Sequence, residues 1–517
     1  MLVALPILIP LIAACAGLAA AGNRPLRQAF ALLGAGGLLA AATVLFARVR
    51  TGGHQALYVG GWPAPLGITL VADPLSALMV LTAAVLNAAV TVYALGDVDA
   101  RRQRHGYFAF VQVMLGGVCG AFLTGDLFNL YVWFEVTLIS SFVLMVLGGG
   151  RAQLEAGTKY VTLSLMSSAL FLSGVGILYG IARTLNMADL SERLAATAVE
   201  RPWPVTCAAT LLMLAFGIKA AVFPLHFWLP DSYHVTPAAV TAIFAALLTK
   251  IGVYAMIRVF GQVLPPGPYL SGLLAVIAGV TMVMGVLGAV AQVHVRRILN
   301  VHIVSQIGYM VMGVALLGTP DPATRRLAVA AAVFYMVHNM VVKTNLLLIS
   351  GAVRAMTGTE LLAGLGGLAA RAPLTAWIFL ISALSLAGLP PSSGFWAKLG
   401  ILQAGFQARA WVLTFTALFV GLLTLLSMIK IWNEVFWKPA PADAPAPGLP
   451  ARRRMLLLGP AAALMVISTL IGLYPVPLLD AARRAAEGLL DRPACVAAAE
   501  AKAASTPRAQ PPGETGR

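Results

Sequence analysis

Apolar runs of about 20 residues, the length a helix needs to span a bilayer, follow one another from the first residues to beyond position 470. Polar residues gather in the short stretches between them. The pattern predicts an all-α polytopic membrane protein of about 14 transmembrane helices. The first two cover about 2–21 and 27–47. The third starts after Asp73, the fourth near Tyr107 and the fifth just after Asp126. The next four start near Thr158, Trp203, Pro237 and Tyr269. The tenth begins at about Ile298, the eleventh near Leu327, the twelfth at Pro373, the thirteenth near Ala410 and the fourteenth near Met455. Pro439–Pro450 reads as a flexible loop, and the Ala- and Pro-rich tail 491–517 as disordered.

The pattern is interrupted between Leu211 and Phe260. The seventh helix carries a lone lysine, Lys219, and is broken at Pro224. A polar corner with His226, Asp231 and His234 follows, and the eighth helix carries Lys250. A lysine at the centre of a bilayer costs roughly 2.5 to 3.5 kcal/mol, so two such residues beside a helix break point to a path for charge. The twelfth helix repeats the device: Pro390-Pro391 break it and Lys398 follows. The two broken helices are five apart, and a repeat with an odd number of helices must invert across the membrane. Residues 1–105 then form the first three helices, 106–262 and 263–440 two inverted five-helix repeats (helices 4–8 and 9–13), and 441–490 a loop with helix 14.

Composition agrees. Of 517 residues 60% are hydrophobic and 10% charged, and mean hydropathy is +0.87. The N-terminal apolar run has no basic segment before it and reads as a first membrane helix, not a cleaved signal. The net charge of +16 comes from basic residues scattered singly or in pairs, without the aromatic-interleaved patch of a nucleic-acid binder. About 15 lysines and arginines fall in odd-numbered loops and about 9 in even-numbered ones, which places the odd loops in the cytoplasm and both termini outside. Arg48, Arg50, Arg325 and Arg326 run against that bias. Cys15, Cys119, Cys207 and Cys495 lie far apart, with no CxxC or Cys/His cluster for an iron–sulfur, zinc or haem site, so no cofactor is expected.

The candidate chemistry lies in the few polar groups inside the spans. Burial disfavours the charged form of lysine, so Lys219 and Lys250 are placed to bind and release protons. Glu135 is the one carboxylate read deep in a span. Beside Lys219 it would act as a switch on proton loading, with a static ion pair as the plainer alternative. His338 and Lys343, with Asn339 and Asn345, would hold a water chain between Lys250 and Lys398, or else only tie helices together. His302 and Gln306, four apart on one helix, are open to the same two readings. His226 and His234 would line a proton entrance or cap the broken helix ends, with capping the favoured reading for His226. Lys430, near a helix end, fits snorkelling.

The segment with Lys219, His226, WLPD at Trp228–Asp231, His234 and Pro237 resembles the signature of the antiporter-like subunits of respiratory complex I and of Mrp-type cation/proton antiporters. The resemblance runs through nearly the whole chain. DLFNLYVWFEVTLISSFVLMVLGG and LAGLPPSSGFWAKL look most like the D-type branch of the Mrp subunits, while Gln306 stands where many relatives have histidine. The resemblance implies a fourteen-helix fold with two inverted repeats. It implies proton transfer along Glu135, Lys219, Lys250, His338, Lys343 and Lys398. It also implies a hetero-oligomer with other Mrp subunits, exchanging Na+, or K+ or Li+, for H+. Two alternatives stay open: a proton-pumping subunit of a redox-driven complex, such as a complex I-like NADH:quinone oxidoreductase or a membrane-bound hydrogenase, and a non-conducting scaffold.

Overall fold

A computed structural model describes residues 1–20, 22–62, 64–200, 202–441 and 448–491, the side chains of 196–199 aside. The chain opens with α1 (Leu5–Ala19) and α2 (Arg24–Gly52), then a two-stranded hairpin, β1 (Gln55–Tyr58) and β2 (Thr69–Ala72), paired antiparallel with Gln55 opposite Ala72. There follow α3 (Pro74–Asp97), the short α4 (Ala100–Arg104), α5 (Tyr107–Leu123), α6 (Leu127–Val146), α7 (Arg151–Ala182) and α8 (Met187–Glu200). Next come α9 (Pro202–Ala220), α10 (Trp228–Tyr233), α11 (Ala238–Arg258), α12 (Pro268–Val290), α13 (Val295–Ala315) and α14 (Pro322–Thr357). The last are α15 (Leu368–Arg371), α16 (Pro373–Ala387), α17 (Ser393–Gln407), α18 (Trp411–Trp432), α19 (Ala451–Leu473) and α20 (Val476–Leu490).

Among the described residues twelve helices are long and apolar enough to cross a membrane. The fourth and twelfth expected spans are shorter apolar helices, α5 and α16, and α17 continues the latter beyond its break. The hairpin, α8 and the C-terminal α20 go beyond the pattern of apolar runs, because none of them is a long apolar stretch. The expected tail and the part of the Pro439–Pro450 loop at 442–447 lie outside the described residues, as does Cys495.

Local chemistry sets the helix ends. Asp73 and Ser76 form a reciprocal capping box at the start of α3, and Asp126 and Asp321 accept the first amides of α6 and α14. Proline stands in the first turn of α2, α3, α12, α14 and α16, where its missing N–H costs nothing.

The layering inverts that of a soluble protein. Peripheral helices turn large apolar residues outward: along α18, Val412, Phe415, Phe419, Leu422 and Leu426 are exposed at helical spacing, a face made for lipid. The central helices are enclosed. Every residue of α11 is buried, as are nearly all of α13 and the middle of α14 from Ala328 to Val353. These central helices hold Thr249, Lys250, Asn300, His302, Gln306, His338, Asn339, Lys343 and Asn345, all inaccessible to the surroundings. Polar groups in a membrane protein face the bundle interior because lipid offers them no partner.

Candidate functional site

Both expected helix breaks are present. α9 ends one residue after Lys219, where Ala221 turns into the left-handed region at φ 60°, and the chain resumes as α10. That conformation is uncommon for a residue with a Cβ and marks a site held by its surroundings. The indole of Trp228 on α10 donates at 3.0 Å to the carbonyl of Ile218, which also accepts the Ala221 amide at 3.2 Å, and the Phe223 amide donates to Thr281 Oγ1 of α12 at 3.0 Å. The second break lies between α16 and α17, at Gly388 with φ 91°.

Glu135, on α6, is half-buried, and its carboxylate accepts the Ser168 hydroxyl of α7. Lys219 faces it from α9 within electrostatic reach, but no direct ion pair joins them among the described residues. Lys219 lines a small cavity of about 20 Å³ with Thr137, Tyr160, Ser164 and Trp228, room for about one water molecule. The far wall is Leu248 and Ile251, which flank Lys250 on α11.

The next three lysines share one arrangement. Lys250 Nζ donates to Ala245 O at 2.7 Å, Lys343 Nζ to Leu299 O of α13 at 3.0 Å, and Lys398 Nζ to Ala387 O at 2.5 Å. The Ala387 carbonyl is the last of α16, freed by the break, so the broken helix end itself holds the Lys398 ammonium. That ammonium also lies 5.6 Å from the centre of the Tyr309 ring, a cation–π contact. Lys250 and Lys343 lie within electrostatic reach of each other, and His302 within reach of both Lys343 and Lys398.

The histidines divide. His338 Nδ1 is 2.8 Å from Ser393 Oγ, which meets Ser385 at 3.0 Å and Ser468 of α19 at 2.9 Å, a hydroxyl cluster at the second break. His302 Nε2 bonds Ser427 of α18 at 2.8 Å while its Nδ1 has no partner among the described residues. Gln306, on the same helix face, instead accepts the Tyr335 hydroxyl of α14 at 2.5 Å. His226 does not cap: its ring lies beside Phe223 and its buried Nδ1 is unpartnered among the described residues, so the expectation of a cap is corrected. At the odd-loop face Arg297 donates to His234 Nε2 at 2.9 Å, and His234 Nδ1 donates to Pro230 O at 2.9 Å. A ring that accepts on one nitrogen and donates on the other is neutral, and burial with the nearby Arg297 charge holds its pKa below the usual histidine value. Lys430 donates to Val290 O at 2.8 Å and Gln292 O at 2.9 Å, closing the end of α12 near the odd-loop face.

Asn345 Nδ2 reaches Ser382 of α16 at 2.7 Å and ties two helices. Asn339 is different: both its amide atoms are buried without partners among the described residues, as are those of Asn300 and the atoms Thr249 Oγ1, Ser305 Oγ and Gln306 Nε2. Asn300, Ser305 and Thr249 did not stand out in the sequence, since a single Ser, Thr or Asn in a span is common and only its lack of a partner is informative. The count of deep acids also missed Asp73, which is buried in a bidentate pair with Arg258 of α11. Its place before an apolar run reads only as a cap.

A family described as "NADH:quinone oxidoreductase/Mrp antiporter, TM" matches residues 124–424. Over 493 residues the chain is 40% identical to the D-type subunit of the Na(+)/H(+) antiporter of Bacillus subtilis (strain 168), covering 95% of this chain and 97% of that protein. Over 491 residues it is 39% identical to the protein of the same description from Alkalihalophilus pseudofirmus, with the same coverage. A chain in the structure of the Mrp complex from Dietzia sp. DQ12-45-1b superposes with a TM-score of 0.89 at 33% identity, over 96% of this chain and 98% of that one.

Proposed function

The chain belongs to the NADH:quinone oxidoreductase/Mrp antiporter family of membrane subunits, and we propose that it is the proton-conducting subunit of a multisubunit antiporter that exchanges Na+, or another monovalent cation, for H+. It is a transporter subunit and not an enzyme. Its partners are the other Mrp subunits, in a hetero-oligomer embedded in a bacterial inner membrane.

One observation carries this reading. Lys250, Lys343 and Lys398 are buried with a main-chain carbonyl, not a carboxylate, as partner. A lysine locked to a carboxylate keeps its proton; one held only by a carbonyl has both protonation states within reach. On α11, α13 and α14 the buried amides and hydroxyls of Thr249, Asn300, Ser305 and Asn339 have no partner among the described residues, and water satisfies such groups. Protons pass from Glu135 and Lys219 through Lys250 to Lys343, and on by His302 and His338 to Lys398. Ser168 holds the Glu135 carboxylate in place. Loading Glu135 or releasing it changes the charge that Lys219 feels, which couples the first lysine to the rest.

The two helix breaks, each beside a lysine, support two inverted repeats over 106–262 and 263–440, preceded by three helices in 1–105 and followed by helix 14 in 441–490. The arginine bias supports external termini, with His234 at the cytoplasmic proton entrance. The family also holds redox-driven members; two relatives described as antiporter subunits, matched over 95% of the chain, favour antiport here.

The test uses inverted vesicles carrying the whole complex. Glu135→Ala, Lys219→Ala and Lys343→Ala each abolish Na+-dependent proton movement while the complex still assembles. Normal transport by the assembled Lys343→Ala complex would sink the relay.

A further inference from the structure

Three arginines converge on one groove at the odd-loop face. It lies between the first turn of α2, the last turn of α3 and the first turn of α19, encloses about 510 Å³, and is lined by Arg24, Arg452 and Arg453 with Pro25, Leu95 and Leu456. Arg24 Nε donates to Gln103 Oε1 at 3.1 Å and Arg453 Nε to Gly96 O at 3.0 Å. These bonds orient both side chains and, among the described residues, leave the terminal N–H groups of each guanidinium for a ligand. The acids nearby in sequence are engaged elsewhere: Asp97 accepts from Ala239 N at 2.9 Å, and Asp99 pairs with Arg102.

A preference for basic residues on the cytoplasmic side explains why arginines lie on this face. It does not explain why three meet in one cleft, two of them in the first turn of α19 and one in that of α2. The helix dipole disfavours cations in a first turn, and an anion held there relieves both ends.

We propose that this groove binds the headgroup of an acidic phospholipid from the cytoplasmic leaflet. The phosphate lies against Arg24, Arg452 and Arg453, and the acyl chain starts along Leu95 and Leu456. A basic cleft between helix ends at the cytoplasmic interface is the geometry that captures such headgroups. The apolar wall selects a lipid over a free anion, because a soluble phosphate makes no use of it.

The experiment compares the purified whole complex with one carrying Arg24→Gln and Arg453→Gln. Bound phospholipid is quantified by mass spectrometry, and the thermal midpoint is followed as phosphatidylglycerol, phosphatidylcholine or inorganic phosphate is added. Phosphatidylglycerol stabilises the wild type and phosphatidylcholine does not. The double variant needs about 30-fold more phosphatidylglycerol for the same shift. Arg325→Gln with Arg326→Gln, at the opposite face, changes nothing, and Arg24→Lys with Arg453→Lys retains the lipid. Equal phosphatidylglycerol retention by the glutamine variant and the wild type overturns the proposal. So does a full shift from inorganic phosphate alone, which would make this a site for soluble anions. If the glutamine variant does not assemble, a photoactivatable phosphatidylglycerol decides on the wild type: cross-links map to residues 24–28 and 450–456, and their absence, or a cross-link from the groove to an acidic segment of another subunit, overturns it. Proton transport is not read, so the outcome is independent of the relay.

Discussion

Asp73 and Arg258 make a buried ion pair of the ordinary, locked kind. Burial pushes the Asp73 carboxyl up; the Arg258 guanidinium, aided by the Ser76 amide, overrides that and holds it at about 2, against the ordinary 3.8. The folded value is the lower one, so the stabilisation is complete above pH 3.8 and is lost as pH falls from there through 2. Removing one partner strands the other, and Arg258→Leu should cost about 3 to 5 kcal/mol, read as a lower thermal midpoint at neutral pH. Asp73→Asn with Arg258→Leu should recover part of that loss; no recovery would mean that the damage comes from packing around Tyr254, whose hydroxyl Arg258 also contacts at 2.9 Å. His234 has the opposite tendency to a loaded base. Its neutral ring is the one that accepts from Arg297, so the unfolded chain takes up the proton first as pH falls below the ordinary 6.5, and the corner at 234–237 loses stability there. Lys250, Lys343 and Lys398 differ from both cases: each is held by a main-chain carbonyl, with no paired carboxylate among the described residues.

At the scale of elements, the relay depends on how closely α9 and α11 approach. Gly252 lies where they cross, and a Cβ there would meet Ala220 N at 2.6 Å, Phe216 O at 2.9 Å and the Lys219 carbonyl carbon at 3.0 Å. Those are backbone atoms and cannot swing aside. Gly252→Ala should therefore push α9 outward and displace Lys219 from Lys250, slowing proton movement with the complex still assembled. Gly176→Ala on α7, where the space is open, is the control and should transport normally. The breaks work at the same scale. A continuous helix would consume the carbonyl of Ala387; the interrupted one offers it to Lys398, and at the first break Trp228 adds a second bond to the Ile218 carbonyl. The amphipathic α20 covers α14 and α3 from the end of the bundle, and its Leu489 packs against Gly261.

For the molecule as a whole, the hairpin, α8 and α20 lie on the even-loop face, opposite the groove at Arg24 and Arg453. External termini require that face to point outward. Leu66, exposed in the hairpin loop, reports on it. A Leu66→Cys variant in a background without Cys15, Cys119, Cys207 and Cys495 should react with an impermeant maleimide in intact spheroplasts. Labelling only in inverted vesicles would reverse the orientation and move the proposed lipid to the other leaflet.

The apolar runs by themselves determined that the chain is a polytopic helical membrane protein. A hydrocarbon solvent tolerates so few charges that each exception, Glu135, Lys219, Lys250, Lys343 and Lys398, could be picked out one at a time. The two breaks were legible for a similar reason, since Pro224 and Pro390-Pro391 cannot continue a helix. What the letters could not hold is partnership. Whether a buried asparagine ties two helices, as Asn345 does, or faces no protein group, as Asn339 does, depends on atoms far away in sequence. The same is true of Asp73, whose cap is local but whose counter-ion is 185 residues away. The convergence of Arg24 with Arg452 and Arg453 likewise exists only after α2, α3 and α19 pack. Hydrophobic patterning is a one-dimensional record of what solvent each residue meets; pairing is a three-dimensional fact, and only the tertiary structure decided it.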